Sequence, residues 1–379
     1  MGTTQKTRHF TTNDYRKELA VMLDVYGMVR NKGSVPLEGL LKMGGMAPDD
    51  LKGKIYALSD RNVVELSGEG DDELSHSVSF REGEGKGFIG VSFEGHNCRL
   101  VVLDSLGNFS REEILTVETL KTLRGRVGEI KKIVKTILES TSFKGIPFRS
   151  GGVVVDGLLE GKEKKGVSII AEGLSRAFRC DFAVARRAVA CAYAEKNLNP
   201  QVRDKNILYM HTDSGEGVVV EGEQITESAS PGIGKASYLR AWQQFDAVKT
   251  TKNLISKGLG SDVVQMVGGD VDMIDIPVVF AAAEKGDELA LDLVKRSALA
   301  LGVRTAYLNN IFDVDVTVLG GGLEKSDSEF RNYMEESYQR FLLNEKKGKT
   351  GIVNSVAGEG ACSHGAALLC LRETFTEVI

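Results

Sequence analysis

Twice along this chain an apolar run ends in a short polar loop and a second apolar run follows at once. The first instance is PheIleGlyValSerPheGluGly (88–95) followed by CysArgLeuValValLeuAsp (98–104). The second is IleLeuTyrMetHisThr (207–212) followed by GlyValValValGluGly (217–222). Short apolar runs bounded by glycine and polar turns read as strands, and a tight connection makes each pair antiparallel. Helical spacing follows each pair, so the chain cannot be all-helical. The repetition predicts two α/β lobes with a cleft between them.

The segments between these landmarks fill in the same plan. After the first pair the spacing predicts helices around 111–116 and 122–140, a strand at GlyGlyValValValAsp (151–156), and helices over 166–178 and 182–195. After the second, 276–312 reads as largely helical, ValThrValLeuGlyGlyGly (316–322) as a buried strand running into a glycine turn, and 328–343 as a helix. A last helix is built on GlyAlaAlaLeuLeuCysLeu (365–371). The 43 glycines gather at the ends of apolar runs, where strands enter tight turns.

Ahead of the first lobe, 11–66 has a different rhythm. Asn13 or Asp14 can cap a helix that runs to Asn31-Lys32-Gly33, where glycine suits the C-terminus. Ser34 to Leu41 reads as a short second helix, Pro48-Asp49-Asp50 opens a third, and 62–66 is a strand. HisSerValSerPhe (76–80) supplies a second strand. Helix, short helix, turn, helix, strand is the order of a winged helix-turn-helix. The expected boundaries are 1–84 for this module and its linker, 85–204 for the first lobe and 205–379 for the second, with the C-terminal helix free to return to the first.

Bulk properties narrow the function. A net charge of −5 gives no overall pull toward nucleic acid, so any DNA contact must come from a local patch. The N-terminal stretch lacks an apolar signal core, and no run of about 18 apolar residues occurs, so a cytoplasmic location away from membranes is expected. Cys98, Cys180, Cys191, Cys362 and Cys370 are odd in number and lack CxxC spacing, which suits buried reduced thiols. Cys362 and His364 stand close together, but with no further ligand nearby no metal is expected.

The stretches AlaAlaGluLysGlyAspGluLeuAla (282–290), LeuAlaLeuGlyValArgThrAlaTyrLeuAsnAsnIlePheAsp (299–313), ValThrValLeuGlyGlyGlyLeu (316–323) and GlyAlaAlaLeu (365–368) come in an order and spacing that resembles the ROK family of sugar kinases and sugar-responsive repressors. The resemblance spans about 87–371, and the module ahead of it is similar to the repressor branch. It implies a two-lobed sugar-kinase/actin-like (ribonuclease H-like) α/β fold with an N-terminal α+β winged helix-turn-helix domain. The kinases' first phosphate loop, Asp-x-Gly-x-Thr, corresponds here to Ser92-Phe93-Glu94-Gly95-His96, and the second to Thr212-Asp213-Ser214-Gly215-Glu216-Gly217. Glu94, Asp213 and Glu216 would face nucleotide phosphates, and like charges about 4 Å apart repel by roughly 1–4 kcal/mol. The family's Asn-Asp pair, whose Asp is the general base, aligns with Cys180-Asp181 ahead of the expected helix at 182. Its sugar and zinc motif is matched only loosely at Gly234-Lys235-Ala236-Ser237-Tyr238, with no CxCGxxGC cluster after it.

These readings predict a regulator with no catalytic residues, cofactor or metal, acting as a homodimer or tetramer on a palindromic operator. DNA contacts are expected from Arg8 and Lys17 in the N-terminal arm and first helix, and from Lys52, Lys54, Tyr56 and Arg61 on the third, although Asp49 and Asp50 open that helix. A sugar effector would meet Asp156, Asp181 and Lys235 in the cleft, with Ser92, Glu94, His96, Asp213 and Glu216 marking the altered phosphate loops. Asp181 serves equally as a helix cap. Two other functions stay open: a pseudo-kinase scaffold that does not bind DNA, and an active sugar kinase using Asp181.

Overall fold

A computed structural model describes residues 12–68, 75–81, 86–94, 97–116, 127–143, 145–154, 164–211, 216–227, 247–274, 276–321, 324 and 328–379. The chain divides into two compact units. The first holds 1–194, 222–224 and 359–379, and the second holds 195–221 and 225–358.

The first unit opens with α1 (Thr12–Lys32), β1 (Ser34–Pro36), α2 (Leu37–Leu41), α3 (Pro48–Asp60), β2 (Val64–Ser67) and β3 (Ser77–Phe80). The strands form an antiparallel sheet in the order β1-β3-β2, which gives the module its winged-helix topology. Leu51, Ile55 and Leu58 recur on one face of α3 and are fully buried, as are Met22, Val25 and Val29 of α1. The segment expected to begin the second helix is instead β1. Pro36 disfavours helical backbone at Val35, and Ser34 and Val35 pair with Ser79 and Val78.

The same unit then builds a five-stranded sheet from β4 (Gly87–Glu94), β5 (Asn97–Leu103), β6 (Phe109–Thr116), β7 (Phe148–Val154) and β8 (Asp181–Ala185), ordered β6-β5-β4-β7-β8. The first three are antiparallel, and β7 and β8 run parallel to β4. Residues 111–116, expected as helix, are the outer strand β6. Their charged Arg-Glu-Glu run faces solvent on an edge strand and carries no helical stripe.

Period-two alternation decides what each face of this sheet meets. Ile89, Val91 and Phe93 join Leu100 and Val102 in a core covered by α4 (Val127–Ser140) and α5 (Lys164–Phe178), through Val134, Ile137, Ile170 and Leu174. On the other face lies the final helix. A Cβ at Gly90 would come 1.7 Å from the Ser363 carbonyl oxygen, and one at Gly152, its partner across β4 and β7, 2.4 Å from that of Ala366. Only glycine permits that backbone-to-sheet approach. Beside them runs α6 (Arg187–Leu198), whose Ala190 carbonyl would lie 1.8 Å from a Cβ at Gly365.

The second unit repeats the strand plan with β9 (Ile207–His211), β10 (Glu216–Glu221), β11 (Gln224–Glu227), β12 (Val316–Gly320) and β13 (Gly351–Asn354), ordered β11-β10-β9-β12-β13. Its helices are α7 (Ala247–Ser256), α8 (Asp262–Met266), α9 (Ile276–Glu284), α10 (Glu288–Ile311) and α11 (Ser328–Phe341). β9 and β12 are buried throughout and read as continuous apolar runs, as central parallel strands do. The chain closes with α12 (Ala361–Thr374), the helix seated on the first sheet.

Candidate functional site

Open α/β sheets take ligands at the carboxyl ends of their parallel strands. In the first sheet those ends are level: Ser92 pairs with Val154, and Val154 with Ala185. Ser92 is fully buried, and its Oγ has no hydrogen-bond partner among the described residues. Glu94 ends β4 opposite Asn97, on either side of residues 95 and 96 of the first altered loop. His96 and Asp156 lie outside the described residues.

Asp181 is not at this end. It is the first residue of β8, level with Ser150, and is exposed. Four residues separate it from Ala185, about 13 Å at 3.3 Å per residue. The helix expected from 182 begins instead at Arg187, because Asp181–Ala185 pairs along β7. The two residues at the start of that helix are therefore Arg186 and Arg187, both half-buried, and Arg187 Nη2 donates to the Phe93 carbonyl at 3.1 Å. Asp181 also loses its expected role as helix cap.

The carboxyl end of the second sheet is closed by glycine packing. His211 pairs with Gly320, and Leu319 with Asn354. A Cβ at Gly320 would lie 2.0 Å from the Tyr209 hydroxyl, and one at Gly321, which has φ +71°, 2.7 Å from the His211 ring. This turn rests on its own strand's aromatic neighbours. Glu216 begins β10 opposite His211. Asp213 and Lys235 lie outside the described residues.

In the winged helix the expected contact residues separate into two groups. Lys17 is exposed on α1. Lys52 Nζ stands 5.8 Å from the centroid of the Tyr56 ring one turn on, a cation–π pair on the solvent side of α3. Lys54 points the other way, 3.0 Å from the Glu18 carboxylate and 3.2 Å from the Val378 carbonyl, with only 13% of its side chain exposed. Arg61 is 3.6 Å from the Glu377 carboxylate, and Arg149 donates to the carbonyls of Arg61 and Asn62 at 3.1 and 2.5 Å. The C-terminal end of α3 is thus tied to the chain's own tail and to β7. Arg8 lies outside the described residues.

Comparison with known proteins matches part of the chain to a family and nearly the whole of it to a fold. The ROK family model matches residues 249–373, from α7 through α12. The chain carries a ROK family region. Among solved structures, a ROK family transcriptional regulator, homolog of the E. coli MLC protein, superposes with a TM-score of 0.60 at 17% identity, over 96% of this chain and 98% of that one. A ROK family glucokinase from Streptomyces griseus gives 0.56 at 17% identity over 75% and 98%, and a ROK hexokinase from Thermus thermophilus gives 0.53 at 20% over 74% and 97%. No curated protein matches the sequence. These likenesses establish the sugar-kinase/actin-like α/β fold that the two repeated sheets display. The start of the helix after β8 lies at Arg187, five residues beyond the start expected from sequence. The signal that could have located it was the alanine-rich run from Ala188, whose small residues are buried to Ala194.

Proposed function

We propose that this ROK protein is a transcriptional regulator that binds DNA through its winged helix and does not phosphorylate sugars. The observation that carries the reading is the winged-helix module built into the same compact unit as the first ROK-type sheet. Against kinase chemistry speaks the place of Asp181, which begins β8 away from the strands' carboxyl ends, while the residues that follow the strand are Arg186 and Arg187. A proton cannot be drawn from a sugar hydroxyl by an arginine, which stays protonated. Lys17, Lys52 and Tyr56 make up the DNA-facing set together with Arg8. Lys54 and Arg61 are left to hold α3 against the tail. A two-fold dimer would read a palindromic operator, and a sugar-like effector at the carboxyl ends of the strands would modulate it.

One observation favours a second reading, a winged helix that contacts another protein. Asp49 and Asp50 are exposed at the start of α3, and the segment joining β2 to β3 carries Glu69, Asp71, Asp72 and Glu73. Selection of bound genomic fragments by purified protein separates the two. Enrichment of one palindromic sequence, with a salt dependence shallower by about one unit for each of Lys17→Ala and Lys52→Ala, supports the regulator. Absence of any preferred sequence at low salt leaves the protein-binding reading. Release of ADP with any hexose at an enzymatic rate would overturn the non-kinase part.

A further inference from the structure

A buried polar knot in the first unit joins segments distant in sequence. Tyr26 and Arg30 lie one turn apart on α1, Tyr193 on α6, Arg372 on α12, and Glu223 in the turn between β10 and β11. The Tyr193 hydroxyl donates to the Glu223 carboxylate at 2.5 Å and stands 3.3 Å from the Tyr26 hydroxyl. Arg30 donates to Tyr26 at 3.0 Å, and Arg372 Nε donates to the Glu223 carbonyl at 2.9 Å. Both tyrosines are completely buried. Burial raises their pKa values, so both hydroxyls keep their protons and remain donors.

Packing fixes the knot in place. The Tyr26 ring meets Phe375 edge-on at 5.2 Å and Phe80 at 6.2 Å, and the two phenylalanines meet each other at 5.6 Å. α1 passes the turn so closely that a Cβ at Gly27 would lie 3.0 Å from Glu223 Cγ. Residues 222–224 belong to the first unit, while the strands on either side of them belong to the second. β10 begins directly after 212–215, the second altered phosphate loop.

We propose that Glu223 is a latch through which the β10–β11 hairpin sets the position of α1, and with it the winged helix. The hairpin is one covalent piece from 216 to 227, so a shift of β10 must draw on Glu223. A network of this kind is costly when half-satisfied, because a buried tyrosine hydroxyl left without its partner has no water to replace it. Its states are therefore engaged or released, which suits a switch rather than a graded spring. This inference rests on the proposed function only for what the winged helix does when it moves.

Hydrogen exchange measured without DNA tests the latch independently of that reading. Glu223→Gln and Tyr193→Phe each remove part of the knot while keeping the packing. Amides of α1 around Tyr26 are expected to exchange about tenfold faster in both, with β12 unchanged. Tyr26→Phe, altered on the α1 side, is expected to speed exchange at 222–227 in return, since coupling is reciprocal. Should one variant fail to fold, the other two still give both directions. Wild-type exchange of α1 in the Glu223 and Tyr193 variants, or of the hairpin in Tyr26→Phe, would overturn the latch. Faster exchange in both directions with no operator found would uphold it and fault the DNA-binding reading alone.

Discussion

Glu195 shows how much a single residue organises here. Its carboxylate is fully buried and accepts from Asn199 Nδ2 and Ser355 Oγ, both at 2.6 Å, and from the amides of Val356 and Ala357. It thereby ties the end of α6 to the loop after β13. Glu195→Ala leaves these donors unsatisfied, and thermal unfolding should show a loss of about 3 kcal/mol or more. Gly90→Val drives a side chain into the α12 backbone. It should cost about 3 kcal/mol or more, or prevent folding, as read from soluble yield and the unfolding midpoint. His364 supplies a pH dependence. Its ring stacks on Phe109 at 6.1 Å, and burial, helped by the Arg30 charge against a weaker opposing pull from Glu112, lowers its pKa to about 4. The unfolded chain takes up that proton near pH 6.5, so between about pH 6.5 and 4 the unfolded state binds more protons and stability falls as pH falls. His364→Gln should unfold with a shallower pH slope in that window. An unchanged slope would remove His364 from the account.

At the scale of elements, local signals succeeded where a pattern was long and failed where tertiary pairing decided. The 24-residue α10 was legible from its helical spacing, and Asp287 caps it by accepting from Ala290 N at 2.8 Å. Asp287 also accepts from Asp262 N at 2.7 Å, so Asp287→Ala should lower stability by about 1–2 kcal/mol in chemical denaturation. α10 crosses α11 closely at Gly302, where a Cβ would lie 2.2 Å from the Met334 carbonyl. Residues 182–185 read as helix from sequence because Phe-Ala-Val-Ala carries no period-two contrast and runs straight into an alanine-rich helix. Pairing with β7 made them a strand. The same holds for β1, three residues long, whose partner β3 is distant in sequence, and for β6, an edge strand whose charged run carries no alternation until it pairs with β5.

For the whole molecule, the consequence of that misreading is functional. Asp181, at the start of β8, stands away from the strands' carboxyl ends, where Ser92, Val154 and Ala185 lie level. The same organisation ties α3 to the chain's tail through Lys54 and Arg61. Lys54→Ala is therefore expected to lower the unfolding midpoint, because it strips the half-buried Glu18 of its partner. In the fragment selection it should leave the salt slope of binding as in wild type, whereas Lys52→Ala does the reverse.

The sequence by itself determined the two α/β sheets, the module ahead of them and the motif series that falls within the matched ROK region. Each of these rests on apolar periodicity, turn glycines and ordered motifs, which act over a few residues. Only the tertiary structure decided which residues reach a strand's carboxyl end and which lysines face solvent. It alone brought Tyr26, Tyr193 and Glu223 together. Those outcomes depend on strand partners and helix crossings contributed by remote parts of the chain, and local spacing carries no record of them.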